Sequence, residues 1–258
     1  MLLTLLVGAA ALLTRGSGDA VVLAFALGLG GLALAFVRWE LRHPDPVLQP
    51  RLFRHRTFAA ATAAVALSNL AMYTVLLAVP ILLSRRVGWG STEVGLVLAA
   101  MSTGMVVFSP LGGRLAVVMG RRWPTVLGLS LLSIGLVPLA LTGGAITTVP
   151  LLVGLAVAGA GIGLSSAGMQ TAALESVGPA ESGVASGVFS TSRYLGSIVG
   201  SSLLAGMLGP AEDGVGGFGL VFAMALASAV ISVLASCALH DRPVEADAGA
   251  KADVPRQT

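Results

Sequence analysis

Long apolar blocks separated by short polar breaks organise this chain of 258 residues. A helix that crosses about 30 Å of hydrocarbon needs about 20 mostly apolar residues. Eight blocks approach or meet that length: Met1–Leu13, Ala20–Val37, Phe58–Leu83, Val94–Val118, Pro124–Leu141, Val149–Thr171, Gly183–Leu208 and Gly217–Leu239. The first is too short to cross. With no basic start and no cleavage site, it reads as the remnant of a span whose beginning is missing. Trp39 marks the interfacial end of the second block. The pattern predicts an all-α integral membrane protein with about eight transmembrane helices. Connections among the last six are short, which predicts antiparallel neighbours in sequence order. Pro80, Pro110 and Pro138 fall inside blocks, which membrane helices tolerate when neighbours satisfy the freed carbonyls.

The polar breaks divide the chain. Residues 1–37 form an accessory helix pair, 38–57 a basic linker, 58–240 a six-helix unit and 241–258 a disordered tail rich in Ala, Asp, Glu and Pro. The linker carries Arg38, Arg42, Arg51, Arg54 and Arg56, and Pro44, Pro46 and Pro50 keep it from forming one helix. Placing it in the cytoplasm puts eleven basic residues there, counting Arg114, Arg121, Arg122, Arg242, Lys251 and Arg256. Only Arg15, Arg85 and Arg86 fall opposite, and Arg193 stays within a span. That bias predicts a multi-pass protein of the cell (inner) membrane with both termini cytoplasmic.

Composition agrees with the pattern: 55% of residues are hydrophobic and 10% charged, against about a quarter charged in soluble domains. The net charge of +3 resides in short loops, so it signals topology rather than nucleic-acid binding. Cys237 is the only cysteine, and His43, His55 and His240 are scattered, so neither a disulfide framework nor a metal site is expected. No phosphate-binding GxxxxGK[ST] loop is present, and no acid or histidine cluster could activate water. The sequence therefore predicts neither a cofactor nor an enzyme.

Within the blocks, small residues recur at helical spacing: Gly159 with Gly163 and Ala167, Gly183 with Gly187, and Gly196 with Gly200. Such faces predict close helix packing. The twelve acidic residues lie in loops, tails or near span ends, whereas Arg193 sits well inside a block. It either snorkels to the surface or lines a wet cavity. Asn69 and Tyr73 share a face with Met72 beside them, and Ser165, Ser166, Met169 and Gln170 occupy the cytoplasmic half of their block. Apolar surroundings with a few hydrogen-bonding groups suit lipophilic ligands of varied shape. The same groups could instead bond neighbouring helices.

The stretch SPLGGRLAVVMGRRWP, Ser109 to Pro124, joins two blocks through a basic turn. Glycines there would let the flanking helices approach closely. Gly113, Leu115, Ala116, Gly120, Arg121 and Arg122 resemble the G-x-L-a-D-x-x-G-R-R/K loop signature of the major facilitator superfamily. Val117 departs from it, standing where that family usually carries an aspartate. The segment WELRHPDPVLQPRLFRHRTF resembles the linker before the last six spans of its fourteen-span drug:proton antiporters. GAGIGLSSAGMQTAAL and GVASGVFSTSRYLGSIVG are similar to members of the superfamily, and the second resembles the eleventh core span of the fourteen-span branch. The resemblance implies a carboxy-terminal portion, with 58–240 as one transporter half built from an inverted repeat of three helices. It implies that the blocks holding Asn69 and Ser165 line a central cavity. It also implies proton-coupled efflux of a small lipophilic substrate, with protons entering through a missing amino-terminal half. The chain alone would then not transport. The alternative is a non-transporting membrane scaffold or regulator that kept the fold, favoured by Val117 and by spans without carboxylates.

Overall fold

The computed structural model describes residues 50–142, 147–207 and 215–240. The blocks Met1–Leu13 and Ala20–Val37, most of the linker and the tail after His240 lie outside the described residues. Six long helices fill the rest: α1 Arg56–Leu82, α2 Ser91–Val118, α3 Arg122–Thr142, α4 Thr148–Glu175, α5 Ser182–Met207 and α6 Val215–Ser236. No strand occurs among the described residues. Five helices, all but α5, are long and apolar enough to cross a membrane. The expected helix at Gly183–Leu208 is present as α5, but it is less apolar than the other five. α5 has 26 residues, but its serines, glycines and Arg193 dilute its hydropathy.

Prolines and glycines set several helix ends. Pro124 and Pro150 lie in the first turns of α3 and α4, where a missing N–H breaks no helical bond. Pro80 lies near the end of α1, and a π-helical turn at Leu83–Val87 follows. Gly88 closes that turn at φ 69°, a left-handed conformation that favours glycine.

Two parts of the chain meet where α1 begins. Pro50–Arg54 forms a 3-10 turn, with Leu52 buried and the Phe53 ring edge-on to Phe58 at 5.5 Å. The last residues of the expected linker are thus docked on the bundle rather than freely solvated. Leu239 is also buried, and the His240 N–H donates to the Thr57 hydroxyl at 3.4 Å.

Packing does not follow sequence order. α4 is packed between α2 and α3, α1 between α5 and α6, and α3 also packs on α6. α2 barely touches α3, and α5 barely touches α6. The expectation that consecutive helices are neighbours therefore holds firmly only for α3 and α4. Short connections tie helix ends together, but facing surfaces decide which helices pack. Exchanging α1–α3 with α4–α6 maps this set of pairings onto itself. The two triplets thus contribute equivalent contacts to the bundle, although no repeat is visible in the sequence. Half of the most apolar stretch of α1 and 56% of that of α4 is buried, but only 11% of that of α2. α1 and α4 are the central helices, and α2 presents a mostly apolar outer face.

Glycine seams make these pairings. A Cβ on Gly159 would collide with the Met101 carbonyl oxygen, and one on Gly163 with that of Met105. Gly104 and Gly112 of α2 press in the same way on the backbone of Ala156 and Leu164. Numbers rise together across this contact, so α2 and α4 run parallel. On the other flank of α4, Gly154 and Gly161 meet Gly135 and Gly128 of α3, and Gly168 meets Arg121 and Thr125. Numbers rise on one helix and fall on the other, so α3 and α4 are antiparallel. In the equivalent pair, α1 with α5, Gly196 sits on Ala66 and Gly200 on Leu70 and Thr74. α1 and α5 are therefore parallel. Where lipid replaces water, close van der Waals approach is the main attraction between such helices.

Candidate functional site

The basic turn between α2 and α3 takes its shape from Gly120, which has φ 84°. An L side chain there would cost about 1–2 kcal/mol. Gly113 lies inside α2 with nothing within 4 Å of an added Cβ. The expected close approach of the two flanking helices is thus corrected: Gly120 is needed for backbone shape, and α2 and α3 splay apart. Ala116 is buried, and the Leu115 carbonyl accepts the Met119 N–H at 2.8 Å, which ends α2. Val117 is 79% exposed, so nothing polar stands at that position.

Arg121 ties the turn to α4. Its guanidinium donates to the Glu175 carboxylate at the end of α4. The Thr125 hydroxyl, fully buried, donates to the Arg121 carbonyl at 2.7 Å. A cation at the start of α3 and an anion at the end of α4 each oppose their own helix dipole, so pairing offsets two unfavourable placements. Both side chains are partly exposed, 24% and 39%, so the pair contributes at most about 1 kcal/mol. Glu175→Gln is expected to lower the thermal midpoint of the purified chain slightly. The swap Arg121→Glu with Glu175→Arg is expected to recover it, since it restores opposite charges and matches both dipoles.

The expected cavity residues separate by burial. Asn69 is 8% exposed, and its side-chain N–H donates to the Val65 carbonyl of its own helix at 2.9 Å. Ser165 is fully buried and donates to the Gly161 carbonyl at 2.9 Å; Met169 is buried in the core. These three are therefore committed to the bundle rather than open to a cavity. Ser166 and Gln170 are exposed on α4, Tyr73 is partly exposed on α1, and Met72 is partly buried against the core. α1 and α4 pack on each other, so the structure brings these two helices, though not every named side chain, to one place.

Arg193 lies on α5, partly buried, with its guanidinium 5.9 Å from the centre of the Phe189 ring. Its Nε is buried and has no hydrogen-bond partner. Of the expected packing glycines, Gly159, Gly163, Gly196 and Gly200 lie against neighbouring backbones. Gly183 and Gly187 do not, because a Cβ on either would meet nothing within 4 Å. Their face of α5 is open in the described residues. The seam of α3 with α4 was absent from the sequence reading. Its signal is the seven-residue spacing of Gly128 with Gly135 and of Gly154 with Gly161 and Gly168, two turns apart on one helix face.

Comparison with known proteins places this geometry. Over 201 residues the chain is 31% identical to a protein of Bacillus subtilis described as the uncharacterized MFS-type transporter YvkA, covering 78% of this chain and 44% of that protein. It is 33% identical over 178 residues to the multidrug resistance protein Stp of Mycobacterium tuberculosis, covering 69% of this chain and 33% of that protein. It is 28% identical over 194 residues to a tetracycline resistance determinant of Streptomyces rimosus, covering 74% and 56%. The chain thus spans less than half the length of the first two relatives. The family described as Major Facilitator Superfamily matches residues 61–257. That match covers most of the chain, and the chain belongs to the Major Facilitator Superfamily of membrane transporters.

Proposed function

We propose that residues 58–240 form the carboxy-terminal half of a proton-coupled exporter of small lipophilic molecules, of the fourteen-span branch. Residues 1–37 and 38–57 would be its accessory helices and cytoplasmic linker. The observation that carries this reading is one six-helix unit whose two triplets pack alike, beside relatives described as multidrug and tetracycline resistance proteins. Transport would proceed by rocking against a second six-helix half around a midplane site. Tyr73, Ser166 and Gln170, which are at least partly accessible, would meet substrate. The carboxylate that titrates during coupling would come from the other half, because the described carboxylates, Glu93, Glu175 and Glu181, all lie at or beyond helix ends.

Orientation follows from charge. Helix directions put Arg51, Arg54, Arg56, Arg114, Arg121 and Arg122 at one end of the bundle and Arg85 and Arg86 at the other. The crowded end is assigned to the cytoplasm. A cysteine at Arg54 or Ala246, in a Cys237→Ala background, is expected to resist an impermeant maleimide in intact cells; labelling from outside would reverse the topology.

The functional test is complementation. Co-expression with an amino-terminal six-span half that carries an intramembrane acid is expected to confer ethidium efflux. Tyr73→Ala or Gln170→Ala is then expected to change which substrates are exported while leaving abundance unchanged. Equal loss of all substrates with loss of protein would assign these residues to folding. Complete absence of efflux with a well-inserted partner would favour the scaffold reading, which exposed Val117 supports.

A further inference from the structure

Hydroxyl groups in these helices follow a rule with two buried exceptions. Ser68, Ser102, Ser130, Ser133, Ser165, Ser192, Ser228 and others donate to carbonyls three or four residues earlier in their own helix, the cheapest way to satisfy a hydroxyl away from water. Thr62 and Thr74, 4% and 0% exposed, have buried hydroxyl oxygens with no partner. Both belong to α1. Gly196 and Gly200 of α5 rest on Ala66, Leu70 and Thr74, so the α5-facing stripe of α1 runs 62, 66, 70, 74 in steps of four.

Arg193 occupies the matching level of α5. It lies three residues before Gly196, and Thr62 lies four residues before Ala66; the helices are parallel. Its side chain leans over Phe189, toward the start of α5, as long side chains on helices do. A buried Nε without a partner on α5 thus comes level with a buried hydroxyl without a partner on α1. α1 contains no carboxylate, Glu175 is paired with Arg121, and Glu93 begins α2. Glu181 precedes α5 by one residue, about 18 Å along the helix from Arg193. A partly buried guanidinium with a buried, unpartnered Nε and a buried hydroxyl at its level form a donor set for an oxyanion. Thr62 is six residues, about 9 Å, beyond Arg56, where exposed Arg51, Arg54 and Arg56 concentrate positive charge. That charge draws anionic amphiphiles to this end of the bundle.

We infer that the α1–α5 contact at Thr62 and Arg193 binds the oxyanion of an amphiphile, a phosphate or carboxylate whose chain lies along α5. This site is separate from the accessible residues of α1 and α4 assigned to substrate, and it does not depend on transport. The test uses purified residues 1–258 in a neutral detergent, with native mass spectrometry and thermal unfolding as readouts. The probes are phosphatidylglycerol, dodecyl phosphate and dodecanoate, with phosphatidylcholine and dodecanol as controls.

The anionic probes are expected to bind and raise the unfolding midpoint, whereas the controls do neither. Arg193→Gln should weaken anion binding about tenfold or more, and Thr62→Val should weaken it less. Arg193→Lys, which keeps the charge, should retain part of the binding and serves if Arg193→Gln does not fold. A response to phosphatidylglycerol alone identifies a lipid headgroup; responses to the single-chain anions as well identify a free amphiphile. Equal effects of anions and controls on the wild type, or unaltered anion binding in Arg193→Gln or Thr62→Val, would overturn the inference.

Discussion

Leucine in place of Gly159 is expected to separate α2 from α4 and to deplete the folded protein from membranes. Even a methyl group there would meet the Met101 carbonyl oxygen, and backbone on both sides leaves nothing flexible to yield. Overpacking of side chains typically costs 1–3 kcal/mol, and a clash with backbone falls at or above the top of that range, about 3 kcal/mol. α2 has little else to hold it: 11% of its most apolar stretch is buried, and α4 is its main neighbour. Gly187→Leu is the matched control, because its Cβ points into open space in the described residues. Membrane abundance and detergent unfolding should fall sharply for Gly159→Leu and change little for Gly187→Leu. Similar behaviour of the two variants would remove the glycine seam as the cause of packing.

The outline of this fold is legible because hydropathy and helix length are local properties. Blocks such as Phe58–Leu83 and Val94–Val118 correspond to α1 and α2 within a few residues at each end. Gly183–Leu208 also corresponds to a helix, α5, and it is the least apolar of the six because it is the richest in serine and glycine. Neighbour relations were not legible, because they depend on which faces of different helices match. Gly159 and Gly187 look alike in sequence, each in a small-residue repeat, yet one meets a backbone and the other meets nothing. Asn69 illustrates the same limit at the candidate site. A polar side chain on a central helix suggests a cavity, but its amide is spent on the Val65 carbonyl. The basic turn was legible as a motif, whereas its partner Glu175 lies 54 residues away and could be found only by folding the chain.

Expelling a solute against a gradient requires energy and two alternating faces, and the six helices are proposed to supply neither alone. The sequence has no nucleotide-binding loop. The described spans hold no carboxylate between their ends. A single six-helix unit also has nothing to rock against. The isolated chain is therefore expected to insert into membranes and to leave ethidium resistance at the level of cells without it. An amino-terminal half bearing its own acid should raise efflux from that background. Removing that acid should return it to background without loss of either half.

The most direct measurement places purified residues 1–258 in sealed liposomes, applies a pH gradient, and follows ethidium movement before and after adding the complementary half. The prediction is no gradient-driven ethidium movement from the chain alone, and movement that collapses with the pH gradient once both halves are present. Gradient-driven ethidium transport by the chain alone would contradict it, and would mean that two copies of this six-helix unit make a working transporter.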